Sequence, residues 1–149
     1  MIEGVEIISK KQIIDDRGKV MHMMRNDDKN FKTFGEIYFS YSNANTIKAW
    51  SLNKRMTKNY ICVIGDIKLV LFDDRNKSST KGKIQEIFLS NKNYNLISIP
   101  PCIWVGFQTI KDNFSVLANC SDIPHDPTDV EKKNFNDPYF NYDWENKII

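Results

Sequence analysis

Lys58 and Tyr60 lie two residues apart in a run of strand-forming residues, so both project from the same strand face. An ammonium beside a phenol handles protons. The cation favours phenolate, and a tyrosine with an ordinary pKa of about 10 would be drawn down towards shuttling range. Tyr38 and Tyr41 are further phenols, but their odd spacing puts them on opposite faces of one strand. Of the two histidines, His125 sits in Ile-Pro-His-Asp-Pro and reads as a loop residue satisfied by Asp126. Arg17 follows two aspartates in Asp-Asp-Arg-Gly and suits either a phosphate or a local carboxylate. Asp73 and Arg75 suit an ion pair equally well. Trp50 and Trp104 fit either a buried core or a wall on which a ring stacks.

Composition narrows the partners. The 149 residues carry 21 basic and 19 acidic side chains, a balance that argues against nucleic acid, which needs a basic stripe. Small basic clusters for one or two phosphates remain compatible with it. Cys62, Cys102 and Cys120 are odd in number, widely separated and without a C-x-x-C spacing, so reduced thiols in a cytoplasmic setting are expected. The N-terminus has acid where a secretion signal needs base, and no apolar run approaches a membrane span. The length suits one domain, 1–149.

The elements that must position these side chains are short strands. Period-2 runs are expected at Val5 to Ile8, Val20 to Met24, Glu36 to Ser42, Thr46 to Leu52 and Asn59 to Ile64. The series continues at Ile67 to Phe72, Ile84 to Leu89, Leu96 to Ile99, Ile103 to Phe107 and Phe114 to Leu117. Gly65-Asp66 reads as a tight hairpin turn, and Asp15 to Gly18 and Asn91 to Asn93 as further turns. Ile67 to Phe72 is apolar on both faces, which marks a central strand. The tail from Pro124 is polar but aromatic-rich and should pack back on the body. One helical turn capped by Thr128 is expected around Thr128 to Lys133. Such a series without a helical layer is an all-β jelly roll. A small sandwich of this kind gains by covering an edge strand in a homodimer.

Five strings, in order, resemble the dTDP-4-dehydrorhamnose 3,5-epimerase family of cupin-type jelly rolls. They are "DDRGKV" (Asp15 to Val20), "IKAWSLN" (Ile47 to Asn53), "MTKNYICVIGDIKLVLFDDR" (Met56 to Arg75), "SIPPCIWVGF" (Ser98 to Phe107) and "NDPYFNYDW" (Asn136 to Trp144). The resemblance implies a nucleotide-diphosphate sugar as substrate, a dTDP- or other nucleotide-linked 4-keto-6-deoxyhexose used in surface polysaccharide synthesis. It implies no cofactor. Chemistry of this type needs a base for the proton beside the ketone and a donor or cation at the enolate oxygen.

Carried residue by residue, the resemblance gives Lys58 the enolate and Arg17 the diphosphate. Lys48 stands at an arginine of the family and would meet phosphate as a point charge. His22 stands at a nucleotide-contacting glutamate, so thymine recognition comes into question. Glu36, Tyr38, Asn53, Trp50 and Trp104 complete the expected substrate-facing set, and Tyr60 the catalytic one. Ser51 occupies the catalytic histidine position, and Leu117 or Ala118 that of the tyrosine acid. Asp137 matches the carboxylate that would orient the imidazole. Ser51 with Asn53 also removes the H-x-H of metal-binding cupins, so no metal is expected. Two other outcomes fit these departures: a disabled relative that binds a nucleotide sugar or a partner enzyme, and a 3,4-ketoisomerase.

Overall fold

Alternating apolar residues give twelve strands in the computed structural model, which describes residues 1–111 and 113–145. They are β1 (Glu6–Ser9), β2 (Gln12–Asp15), β3 (Gly18–Met21), β4 (Glu36–Ser42), β5 (Ile47–Asn53) and β6 (Lys58–Ile64). β7 (Asp66–Asp73), β8 (Ile84–Ser90), β9 (Asn95–Ile99), β10 (Ile103–Ile110), β11 (Ser115–Ser121) and β12 (Val130–Lys132) follow. Two five-stranded antiparallel sheets, ordered β1-β9-β6-β11-β4 and β12-β5-β10-β7-β8, form a cupin-type jelly roll, and β2-β3 is a separate hairpin. Among the described residues no helix is long and apolar enough to cross a membrane.

Between the sheets lies a core that includes Ile67, Leu69 and Leu71 of β7, Ile97 and Ile99 of β9, and Leu117 of β11. The other face of β7 is also covered. Val70 joins Trp50, Trp104, Phe140 and Trp144 in a second cluster beneath the C-terminal tail. Lys68, on that same face, is buried and donates to the Trp144 carbonyl at 3.0 Å. The two-sided apolar pattern of β7 therefore has its expected cause.

From β4 to β7 the chain changes sheet at every strand. Gly65, expected in a hairpin, instead turns a corner, because β6 and β7 belong to different sheets. Its φ of +81° suits glycine, and a Cβ there would lie 2.4 Å from the Phe114 carbonyl oxygen. The Asp15 to Gly18 turn does close a hairpin, with Asp15 opposite Gly18. β3 ends at Met21 rather than at Met24, and its partner β2 was not expected from the sequence. Only Ile13 and Ile14 mark β2, too short a run for alternation to register.

The tail differs too. A 3-10 turn, Pro127–Asp129, is capped by Asp126 rather than by Thr128, and a strand replaces the rest of the expected helical turn. Proline at the start fixes φ, and the free edge of β5 then captures Val130–Lys132 as β12. Far from the tail, buried Asp73 accepts from Arg75, Ser78 and Thr80, and Arg75 reaches the Glu3 carbonyl. Asp73 and Arg75 thus form a structural ion pair, at 2.9 Å.

Candidate active site

A one-residue irregularity in β5 places two functional side chains together. Along β10, Val105 faces Ser51 and Phe107 faces Lys48, so residues two apart on β10 oppose residues three apart on β5. A bulge of this kind turns Lys48 and Ser51 to the same side of the sheet. Gly106 sits opposite the bulge, where a Cβ would come within 2.5 Å of the Ala49 Cβ. Lys132 of β12 stands across from Ser51. Lys48, Ser51, Tyr60, Val105, Phe107 and Lys132 surround a cavity of about 250 Å³.

Lys58 lies behind Ser51. It is 4% exposed, and its Nζ donates to Ser51 Oγ at 3.4 Å. Burial lowers its pKa from 10.5 to about 8, an effect that the field of Asp129 partly offsets. Asp129 is itself buried just before β12. Its carboxylate accepts from the Asn53 side chain at 3.0 Å, the Arg55 main chain at 2.8 Å and Arg55 Nε at 3.2 Å. Burial would raise its pKa, but these hydrogen bonds outweigh it and hold the group below the usual carboxylate range.

Tyr60 borders the cavity two residues beyond Lys58. Asn119 of β11 stands opposite both Tyr60 and Tyr38, and its side chain donates to the Tyr38 hydroxyl at 3.1 Å. Burial, with the neighbouring Tyr38 hydroxyl adding to it, pushes the Tyr60 phenol well above 10. This corrects the expectation of a lowered tyrosine pKa: desolvation and the Tyr38 hydroxyl both raise it. Tyr60 is therefore a neutral O–H donor at working pH. Lys48 donates to the Tyr41 carbonyl at 2.6 Å and to Ser40 Oγ at 3.0 Å, which orders its ammonium at the rim.

Other residues named from the sequence lie elsewhere. Arg17 is on the tip of the β2-β3 turn, its side chain 86% exposed and paired with Asp15 at 2.6 Å. His22 follows β3 and is only half buried; its main-chain N–H donates to the Lys11 carbonyl. Asn53 is committed to Asp129. Glu36 opens β4 opposite Ser121, outside the cavity wall, and Asp137 caps a 3-10 turn through the Tyr139 N–H. Trp50 borders the cavity, yet its indole stacks on Phe140 at 4.3 Å and donates to the Phe135 carbonyl. Trp104 meets Phe140 edge-on in the same cluster. Both tryptophans hold the tail rather than form a stacking wall.

Asp129, Lys132 and Asn119 went unnoticed in the sequence. The first two sit in the segment expected to be helical, and β-pairing with β5 is what carries them to the site. Asn119 lay beyond the expected end of β11, although its inward parity with Leu117 was available as a signal.

Comparison with known proteins fits this geometry. A family model described as dTDP-4-dehydrorhamnose 3,5-epimerase matches residues 1–149. The crystal structure of a dTDP sugar isomerase from Desulfovibrio desulfuricans G20 is similar, with 36% identity, a TM-score of 0.96, and 99% of this chain and 94% of that chain covered. Agl13 of Haloferax volcanii, a probable low-salt glycan biosynthesis epimerase, is 28% identical over 79% of this chain and 77% of its own. The spore coat polysaccharide biosynthesis protein SpsL of Bacillus subtilis is 24% identical over 97% of both chains. On its matched family model, its fold and its cavity, the chain belongs to the dTDP-4-dehydrorhamnose 3,5-epimerase family.

Proposed function

We propose that the chain is an isomerase of nucleotide-linked 4-keto-6-deoxy sugars, dTDP-linked by preference, that supplies polysaccharide synthesis. The observation that carries this reading is the buried Lys58 behind Ser51 at a sugar-sized cavity. The 4-ketone makes the hydrogens on C3 and C5 acidic, and such a cavity can hold the ring while a side chain removes one of them. About 250 Å³ admits a hexose and not a whole nucleotide, so the diphosphate must lie at the mouth. Lys48 and Lys132 supply positive charge there. Binding at that remote end holds the ring still for proton transfer.

The test is exchange. Incubated in heavy water with dTDP-4-keto-6-deoxyglucose, the protein should place deuterium at C3 or C5, with an inverted centre in the product. Lys132→Ala should raise the KM for that sugar about tenfold, one phosphate contact's worth, with kcat little changed. No label with any nucleotide 4-keto sugar would sink the reading, and a 3-keto product would reassign it to a keto shift.

A homodimer is part of the proposal. β4 is an edge strand whose outward side chains Ile37, Phe39 and Tyr41 are 48%, 64% and 57% exposed. A second copy would cover that row. Light scattering giving the mass of one chain at micromolar concentration would overturn it. Three free cysteines, one of them buried, support a reducing cytoplasmic setting.

A further inference from the structure

Lys58 has one hydrogen-bond acceptor among the described residues, Ser51 Oγ at 3.4 Å, although an ammonium carries three hydrogens. No described carboxylate lies within ion-pair distance of its Nζ. A buried cation left so poorly matched is costly, whereas a neutral amine needs fewer acceptors and keeps a lone pair. The cavity wall offers no imidazole and no carboxylate: its ionisable side chains are Lys48, Lys132 and Tyr60, and Lys58 stands directly behind it, its Nζ 3.4 Å from the wall's Ser51 Oγ. Lys48 is tied to Tyr41 and Ser40 at the rim, and Tyr60 stays protonated. His22 and His125 are on other parts of the surface.

From this we infer that Lys58, as the free amine, is the base that removes the proton beside the ketone, with the Tyr60 hydroxyl as donor to the enolate. The inference rests on the isomerase reading and deepens it. It reassigns Lys58, expected at the enolate, to the carbon. In the step, the amine lone pair takes the hydrogen from C3 or C5 as a proton, and an N–H bond forms as the C–H bond breaks. The C–H pair becomes the C=C bond, and the carbonyl pair moves to the oxygen, where Tyr60 donates a hydrogen bond. A proton from water then adds to the opposite face of that carbon and reverses the electron flow, leaving hydroxide that the Lys58 ammonium neutralises by yielding its proton.

The charged and titratable groups around Lys58 are Asp129 ahead of β12, Arg55 bound to Asp129, Lys132 on β12, Lys48 on β5, and Tyr60 with Tyr38. Burial keeps the amine free at lower pH, and Asp129 opposes it.

The test is the pH profile of deuterium exchange into dTDP-4-keto-6-deoxyglucose. A base gives a rate that rises about tenfold per pH unit and levels off above about 8. A rate that instead falls above that pH shows an ammonium at work and overturns the assignment. Lys58→Arg keeps the charge but cannot accept a proton; exchange should fall about 10³-fold while dTDP binding by calorimetry holds. Exchange that survives Lys58→Arg overturns the base alone, and a wild type that exchanges nothing overturns the isomerase reading with it. Titration of the 15N-labelled lysine in the free protein needs no turnover: a midpoint near 8 supports the free amine, and one above 10 overturns it.

Discussion

Lys58→Met should make the protein more stable and inactive. Its pKa is lowered from 10.5 to about 8 by burial, so folding carries the full cost of the buried charge at pH 7. A shift of that size corresponds to about 3 kcal/mol. The sign follows from proton binding. Between pH 8 and 10.5 the unfolded chain holds the proton and the folded chain does not, so stability rises with pH across that window. Below pH 8 the penalty is complete; above 10.5 it is gone. Methionine fills much the same volume without the charge, so the variant should gain most of the penalty at pH 7 and nothing at pH 11. Urea melts at several pH values read this directly. Exchange should meanwhile fall by at least about 10³-fold. A variant less stable than the parent at pH 7 would show that Lys58 is held by contacts rather than merely tolerated.

Ser51→His should restore activity where Lys58 is silent. At pH 6 an amine with a pKa near 8 is free in about one molecule in a hundred. An imidazole at position 51 would face the cavity, with the Lys58 ammonium behind it and Lys132 across the strand pair. Two cations lower its pKa, so it stays a neutral base at that pH. The exchange rate at pH 6 should rise about 10²-fold, with little change at pH 9. Asp137 gives no help in orienting the ring, because its carboxylate caps the Pro138–Phe140 turn and lies near Lys133. That is why the expected gain is modest for a histidine base. An unchanged rate at pH 6 would mean that the reacting carbon rests away from position 51.

The fold was largely legible in the sequence because alternation is a local signal, and strands such as Glu36–Ser42 carry it in every residue. What local pattern missed was pairing. Gly65 looks the same whether it closes a hairpin or turns a corner, and Pro127 to Lys133 reads as a cap with a helical turn until the open edge of β5 is in place. The site shows the same division. Lys58 and Tyr60 were legible as a same-face pair, and Lys48 and Ser51 through the resemblance. Trp50 was ambiguous, since plain alternation puts it on the same face as Lys48 and the bulge in β5 parts the two. The direction of the Tyr60 shift depended on burial depth, which no spacing reports.

The two sides of β5 also link catalysis to the C-terminal end of the chain. Trp50, pinned outward under Phe140 and Trp144, and β12, laced to its edge, fix the strand that offers Lys48 and Ser51 inward. A protease nick near Pro124 or a bulky fusion that pries the terminal aromatics loose would blunt turnover while leaving Lys58 and Tyr60 in the chain untouched.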